Sequence, residues 1–337
     1  MSDVEIFPYS PADDGAALAL EEKCVQGTSL KIAFRRPDFR ARSELYENAR
    51  IYCARRDGEL VGIVAGALKD VRLHGETVRA LYFYDLRVHP AFRNGGVGKK
   101  LTNAVMEDMG KNADCLYTLV NGENAKAMNL VGRNFAPASI IPLTYALFPV
   151  YRKRKEREAW RFEKAADLHA SYERVHPDLE FNPLFREERL NGYVTSLVLE
   201  NRKGTGCSIW TNENILAEQV IQIPPRMRKL RALSRALSPF VSLPHIPADN
   251  EIIRSWFLFD FHAEGPRELK GLLAAVNNLA LARGRTYFYI LVRDGDPLLG
   301  ALRAAGPRFI AFPYRLLAKG RVFPLESDDV YIDIRDL

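Results

Sequence analysis

A glycine-rich turn led by an arginine is the segment of this sequence best suited to bind a ligand. Residues 86–98 read Leu-Arg-Val-His-Pro-Ala-Phe-Arg-Asn-Gly-Gly-Val-Gly, so an alternating apolar run stops at a proline and three glycines follow. Glycine can adopt positive φ, which lets successive backbone N–H groups converge on one anion. Arg93 adds a planar group of donors beside the positive end of the helix that should follow. The pattern predicts a site for a phosphate or pyrophosphate.

The spacing of these glycines differs from that of two common nucleotide-binding motifs. A dinucleotide-binding turn needs Gly-x-Gly-x-x-Gly, and a nucleoside-triphosphate loop ends in Gly-Lys-Ser/Thr. The segment Val88-x-Pro90-x-x-Arg93-x-x-Gly96-x-Gly98 instead resembles the pyrophosphate loop of the GNAT family of N-acetyltransferases. The resemblance implies that acetyl-coenzyme A (acetyl-CoA) is the co-substrate and that its acetyl group passes directly to an amine. The implied coenzyme contacts are Leu86, Arg87, Val88, Arg93, Asn94, Gly95, Gly96, Val97, Gly98 and Lys99.

A second signature of the same family follows downstream. The residues Glu123-Asn124-x-x-Ala127-x-x-Leu130 precede an aromatic residue at position 135. Asn124 is well placed to cap the next helix. By the resemblance, Asn124 also contacts the pantetheine arm of the coenzyme, and Ala127 leaves room beside it.

This second signature departs from the family at the position after the leucine. Relatives often have a tyrosine there, whose hydroxyl protonates the departing thiolate, but this chain has Val131. Water or another hydroxyl would then supply the proton, and Tyr145 is our candidate for general acid.

Transfer to an amine also requires a base, because the amine must lose a proton before it attacks the thioester. Asp85, which precedes Leu86 on the strand that enters the turn, is our candidate. Strand alternation places Asp85 and Arg87 on one face, so a local ion pair is the alternative role. The resemblance further implies that a backbone N–H of Leu86 or Val88, freed by a bulge, polarises the acyl carbonyl.

The order of predicted elements indicates an internal duplication. Strand, helix, strand and helix after Asp85 recur after Asp260, and Phe135 lies 50 residues after the first aspartate while Phe309 lies 49 after the second. We therefore expect an α/β (α+β) protein with two tandem acyl-CoA N-acyltransferase folds, each a mixed, mostly antiparallel sheet flanked by helices. The expected units are residues 1–150 as the coenzyme-binding domain, 151–168 as a basic linker and 169–337 as a degenerate second copy.

The second copy lacks the chemistry of the first. His262-Ala-Glu-Gly-Pro-Arg-Glu268 stands where the turn should recur, with one glycine and an acidic residue that would repel a pyrophosphate. No coenzyme is expected there, and the copy could complete or cover the substrate groove of the first domain. The alternating residues 330–334 predict a final strand.

Composition bounds the remaining classes of function. Within 337 residues of net charge +6, no apolar run approaches the roughly 20 residues of a membrane span, and the N-terminus lacks the order of a signal peptide, so we expect a cytoplasmic protein. The four cysteines have no metal-ligand or disulfide spacing, and no metal is expected. The basic residues 151–157 are expected to form a solvated linker segment. The second basic cluster, residues 226–235, has the spacing of an amphipathic helix, and we expect it to pack on its own domain rather than to bind nucleic acid or a membrane.

The acceptor stays open at this point. A small-molecule or peptide amine suits the chemistry, and a homo-oligomer is compatible with the chain. Two alternative functions are compatible with the same predicted fold. One is a non-catalytic acyl-CoA binding or sensing protein, suggested by Val131; the other is a tRNA-dependent aminoacyl transferase with a similar tandem fold.

Overall fold

The structure of the chain is a computed structural model. It describes residues 3–27, 29–156, 159–163, 165–176, 179–183, 194–199, 205–305, 308–320 and 330–336.

Two halves of similar element order make up the described chain. The first half, residues 3–149, contains β1 (Glu5–Pro8), α1 (Asp14–Lys23), β2 (Lys31–Arg35), β3 (Asn48–Arg56), β4 (Glu59–Leu73), β5 (Glu76–Val88), α2 (Val97–Met109), β6 (Cys115–Asn121), α3 (Ala125–Phe135) and β7 (Ser139–Pro149). The second half, residues 160–336, contains β8 (Trp160–Glu163), α4 (Ala165–Val175), β9 (Asn182–Pro183), β10 (Val194–Leu199), β11 (Gly206–Trp210), β12 (Ala217–Gln222), α5 (Pro225–Leu237), β13 (Ser255–His262), α6 (Pro266–Ala282), β14 (Tyr287–Arg293), α7 (Pro297–Ala305) and β15 (Ile310–Gly320). The expected mixed α/β class is confirmed.

One continuous sheet of 13 strands joins the two halves. Its order is β1-β3-β4-β5-β6-β15-β7-β14-β13-β11-β10-β8, with β9 paired to β4 outside this path. Each half contributes five strands to its own side. The two central strands are exchanged, because β15 of the second half pairs with β6 and β7 of the first half pairs with β14.

Because of this exchange, the predicted units 1–150 and 169–337 do not each form a separate sheet. A boundary at residue 150 separates β7 from β8 in sequence, but each half needs a strand of the other half beside its own parallel pair. The segment 151–168, expected as a linker, contains β8 and the beginning of α4. Trp160 of β8 packs against the apolar cluster of the second half, which gives that segment a place in the fold.

Each half contains a parallel strand pair at the same place in the sheet. Strand β5 runs parallel to β6 from the pair Ala80–Cys115 to the pair Phe83–Thr118, and β13 runs parallel to β14 over four residues. The remaining neighbours within the sheet are antiparallel. This mixed, mostly antiparallel pattern is the one expected from the sequence.

Helix α2 covers one face of the first half. The apolar spacing predicts a helix over 99–110, and the helix buries Val97, Leu101, Val105 and Met109 against the sheet. Gly62 on β4 allows this close approach, because a Cβ there would lie 2.8 Å from a methyl carbon of Leu101. The helix therefore starts directly beside the end of β5, where the glycine-rich turn lies.

The opposite face of the sheet carries a second layer built from both halves. Strands β2 and β12 pair antiparallel, with Phe34 opposite Glu218 and Ile32 opposite Val220. Val220 is fully buried in the main apolar cluster, and side-chain alternation places Glu218 on the same side of its strand. We call this surface of the large sheet, opposite α2, the tyrosine face, since Tyr82, Tyr84, Tyr117, Tyr145, Tyr289 and Tyr314 belong to it.

Helix α5 carries the second basic cluster of the sequence. The expected packing of this helix on its own domain is slight, because none of its residues is buried and Leu230 and Leu233 are exposed. Met227 contacts the main apolar cluster, and Arg228 donates to Asp249 at 2.8 Å. In the described part of the chain, no helix is both long enough and apolar enough to cross a bilayer.

The C-terminal segment lies on the tyrosine face of the first half. The final strand predicted over 330–334 is wrong: Val330 forms a single bridge with Glu180, and a short 3-10 turn covers Ile334–Asp336. Side-chain charge, which strand periodicity does not detect, determines this conformation. Lys69 lies 2.5 Å from an Asp333 oxygen and 2.9 Å from an Asp336 oxygen.

We expect Lys69→Ala to lower the free energy of unfolding by about 3–5 kcal/mol, because it leaves the two buried carboxylates without their shared cation. Lys23→Ala is the control, since Lys23 forms a 3.5 Å pair with Glu59 in which both side chains are about half exposed. Its loss should cost less than about 1 kcal/mol. Denaturant unfolding of both variants at neutral pH measures the difference, and equal effects would show that the C-terminal segment is not held by charge.

Candidate active site

The glycine-rich turn places consecutive backbone donors at the start of α2. Asn94 has φ of +74° and Gly96 has φ of +76°, and Gly96 is the residue that precedes the helix. The first N–H groups of a helix have no acceptor within it. Those of Val97, Gly98 and Lys99 lie in this first turn, beside the positive end of the helix dipole. The arrangement fits a pyrophosphate, as the sequence predicts.

Arg93 joins this turn to the end of β5. Its Nε donates to the carbonyl oxygen of Val88 at 3.1 Å, and its side chain is exposed. The guanidinium is therefore fixed beside the turn without being removed from solvent. A cation in this position can neutralise part of the charge of a bound diphosphate.

Strand β5 carries a bulge immediately before the turn. The register of β5 with β4 shifts between Ile63 and Ala65, so Asp85 and Leu86 together face one residue of β4. Asp85 has φ of +51°, a left-handed conformation that is uncommon for residues other than glycine. Such a bulge leaves backbone groups outside the ladder.

A gap between β5 and β6 begins at the same level. The last paired residues of this parallel pair are Phe83 and Thr118, although β5 continues to Val88 and β6 to Asn121. The backbone of Leu86 therefore borders a gap that leads to the turn at the start of α2. A linear thioester arm could lie in this gap with its carbonyl near the bulge.

Asp85 itself is buried and held by arginines. Arg36 donates to one carboxylate oxygen at 2.8 Å, Arg42 donates to the other at 3.2 Å, and Arg87 lies 3.5 Å away. Burial alone would raise the pKa of Asp85, but the charges of Arg36 and Arg42 outweigh it and hold the pKa well below its usual value. A carboxylate stabilised in this way is a weak base. The ion-pair role considered as the alternative is the one that this geometry favours.

Tyr145, the candidate acid, lies elsewhere on the tyrosine face. Strands β6 and β15 separate its strand β7 from β5, which corresponds to about 14 Å at the usual spacing of strands. Its ring stacks on Tyr289 with centroids 4.7 Å apart and forms a tilted pair with Tyr314. Burial raises the pKa of the Tyr145 hydroxyl well above its ordinary value. The structure therefore does not bring Tyr145 and Asp85 together.

A carboxylate that no sequence motif indicated lies beside these tyrosines. Tyr289 donates to a Glu218 carboxylate oxygen at 3.3 Å. We call Glu218, Tyr145, Tyr289 and Tyr314 the Glu218 cluster. Among the residues that the structure describes, no lysine or arginine forms an ion pair with Glu218. Burial raises the pKa of this carboxyl to about 7, although the hydrogen bond from Tyr289 opposes the shift.

The second family signature forms the start of α3. The Asn124 side chain accepts from the N–H of Ala127 at 3.1 Å, so the predicted helix cap is confirmed. Both residues are at least partly exposed, which leaves them accessible to a ligand. Val131 packs against the apolar cluster under α2, so this position supplies no proton donor.

The second half keeps the bulge but not the turn. Asp260 has φ of +51°, like Asp85, and accepts from Tyr331 at 2.8 Å while His169 lies 3.1 Å away. Helix α6 begins at Pro266, which has no backbone N–H, and carries Glu268 in its first turn. These features disfavour an anion at this helix start.

The described residues contain no group of three or more potential metal ligands. The four cysteines are all buried and free.

Comparisons with known proteins give one family match and several similar folds. Residues 19–135 match the family model described as the acetyltransferase (GNAT) family. N-myristoyltransferase of Saccharomyces cerevisiae with bound myristoyl-CoA is similar in structure with a TM-score of 0.62 at 12% identity, over 95% of this chain and 79% of that one. A glucosamine N-acetyltransferase region in a fungal multi-domain β-N-acetylglucosaminidase gives a TM-score of 0.57 at 17% identity, over 95% of this chain and 38% of that one. No curated protein matches the sequence.

The raised pKa of Glu218 predicts a specific dependence of stability on pH. The folded protein retains this proton from the ordinary value of 4.5 up to about 7, whereas the unfolded chain releases it. The folded state thus binds more protons, and its stability falls as pH rises through that interval. Glu218→Gln removes this loss, so we expect it to raise the free energy of unfolding by about 3 kcal/mol above about pH 8 and to have little effect near about pH 4.

Denaturant unfolding across this pH range measures the effect. Glu107→Gln on the outer surface of α2 is the control and should follow the wild-type curve. A Glu218→Gln curve parallel to that of the wild type would show that Glu218 titrates normally.

Proposed function

We propose, from the membership of residues 19–135 in the GNAT acetyltransferase family, that this chain is an acyl-CoA-dependent N-acyltransferase that moves an acetyl group from acetyl-CoA to an amine. The observation that carries the proposal is the continuity of three features. These are the bulge at Leu86, the gap between β5 and β6, and the left-handed turn at Gly96. In this proposal they provide, along one line, a backbone N–H that donates to the acyl carbonyl, a channel for the thioester arm and an anion site.

The proposed coenzyme contacts follow this line. The first-turn N–H groups of α2 and Arg93 hold the pyrophosphate. Asn124 and Ala127 border the pantetheine arm. The coenzyme supplies an activated thioester, whose carbonyl oxygen gains negative charge when the amine attacks. The backbone N–H of Leu86, freed by the bulge, stabilises that charge.

Two further roles concern protons. Because the arginines keep Asp85 ionised, we assign it to fixing the bulge rather than to removing the proton from the amine. Because Val131 is apolar and Tyr145 is about 14 Å from β5, we propose that solvent accepts the proton that the amine loses and supplies the proton that the thiolate gains. Transfer is direct, since the site needs no nucleophilic side chain.

Binding of the coenzyme to the turn is tested by Gly96→Glu. The added carboxylate would project among the donors that hold the diphosphate and repel it, so calorimetric titration should show acetyl-CoA affinity reduced by at least about tenfold. Gly75→Glu is a matched control, because Gly75 has the same φ of +76° and equally open space but lies in the β4–β5 hairpin. If Gly96→Glu binds acetyl-CoA with unchanged affinity, the turn is not part of the coenzyme site.

The assignment of Asp85 is tested by Asp85→Asn. Loss of the charge between Arg36 and Arg42 should lower the free energy of unfolding by about 3 kcal/mol, since two buried cations lose a shared partner. Thiol release from acetyl-CoA, measured in the variant over a range of pH, should keep the pH profile of the wild type. Loss of the alkaline-side increase in rate at unchanged stability would restore Asp85 as the general base.

Val131 also supports a second candidate, an acyl-CoA binding protein without turnover. Loop-dependent binding of acetyl-CoA, with no thiol release above the uncatalysed rate for a broad set of amines, would favour it. Thiol release with myristoyl-CoA but not with acetyl-CoA would instead show that the donor carries a longer chain.

A further inference from the structure

The Glu218 cluster presents oxygen atoms without enough donors to satisfy them. Tyr289 donates to one oxygen of Glu218, and no donor among the described residues reaches the other. The Tyr145 hydroxyl likewise has no hydrogen-bond partner in the described chain. A primary ammonium group carries three N–H donors and one positive charge. It would supply both the donors and the charge that this cluster lacks.

The nearby arginines are already engaged elsewhere. Arg42 donates to Asp85, and Arg35 on the neighbouring strand β2 donates to Gln219 and forms a pair with Glu22. The cation that fits the cluster must therefore come from outside the described chain. Glu218 is partly accessible to solvent, so such a group could reach it.

The cluster lies on the same face of the sheet as the bulge and is connected to it by Tyr314. Tyr314 faces Asn121, at the end of β6 where the gap has opened. Its hydroxyl is within electrostatic range of both Glu218 and Arg42, and Arg42 holds Asp85 at the bulge. Strand β15 lies between β6 and β7, so these two strands are about 10 Å apart. A molecule on this face could thus reach the gap with one end and the cluster with the other.

The C-terminal segment covers the part of the tyrosine face on the other side of the gap, over β5 and β6. Tyr117 donates to Asp336 at 2.6 Å, and Tyr82 donates to the Asp336 carbonyl oxygen. These contacts cover the tyrosine face over β5 and β6 on the side away from the turn. An acceptor that approaches the gap would therefore extend across β15 and β7, toward the Glu218 cluster.

We propose that the Glu218 cluster binds a second protonated amine of the acceptor, which makes the acceptor class an aliphatic diamine or polyamine. The proposal rests on the proposed function, since the other amine is the one acylated at the gap. The second half, which lacks a coenzyme turn, would in this way select the acceptor by its charge and length. Glu218 acts as a specificity-determining residue and takes no part in bond formation.

The test compares two probes of equal chain length, 1,7-diaminoheptane and heptylamine, with protein saturated with coenzyme A. Calorimetric titration should show the diamine binding about tenfold more tightly, because only it places an ammonium at the carboxylate. Ring-carbon NMR signals of Tyr145, Tyr289 and Tyr314 should shift with the diamine and not with the monoamine. Glu218→Gln should reduce diamine affinity to that of heptylamine.

Two further variants separate recognition from folding. Tyr145→Phe keeps the ring stack and removes one acceptor oxygen, so it should weaken diamine binding less than Glu218→Gln does. Glu107→Gln, which changes an exposed carboxylate on α2, should keep the full preference for the diamine. Because Glu218→Gln is expected to be at least as stable as the wild type, loss of binding would not reflect unfolding.

Three outcomes would overturn the inference: equal affinity for both probes, an unchanged preference in Glu218→Gln, or no diamine binding at millimolar concentration. Titration of the same samples with acetyl-CoA distinguishes these failures from failure of the proposed function. Loop-dependent acetyl-CoA binding without a diamine preference contradicts this inference alone. Absence of acetyl-CoA binding contradicts the proposed function as well.

Discussion

The exchange of the central strands is the constraint from which the rest of the architecture follows. Strand β15 fills the place beside β6, and β7 fills the place beside β14, so neither half has a complete sheet without the other. Each exchanged strand pairs over at least seven residues on both sides. The two halves are thereby held in one register, and the tyrosine face becomes a single surface to which residues of both halves contribute.

The bulged strand is the second shared feature, and it explains the buried aspartates. A bulge with positive φ places a short polar residue in the sheet, and its carboxylate must then find partners because burial of an unpaired charge is costly. The first half provides arginines to Asp85, and the second provides Tyr331 and His169 to Asp260. Asp85 and Asp260 thus lie at equivalent positions with different partners. The feature common to both halves is therefore the backbone conformation of the bulge and not one specific charge pair.

Local patterns are enough to predict most elements and the glycine-rich turn before α2. Helix α2, strand β6 and the cap at Asn124 depend on periodicity and on side chains close in sequence, so they follow from short segments. The strand exchange does not follow from short segments. It pairs residues 115–121 with residues 314–320, and no local pattern encodes that pairing. The C-terminal segment was predicted as a strand because its alternation is real, but buried charges at Asp333 and Asp336 determine its conformation instead.

The placement of Glu218 shows why the sequence could not indicate the whole site. A glutamate in an alternating strand is ordinarily a solvent-facing residue. The pKa of Glu218 is raised because the residue is buried beside Tyr145 and Tyr289, which come from strands far away in sequence. The strand exchange brings this environment together, since β7 of the first half and β14 of the second half meet beside Glu218. The proline and the acid at the start of α6 disfavour a diphosphate there. In the proposed function, the second half would therefore act across the exchanged strands, on the face where the proposed acceptor lies.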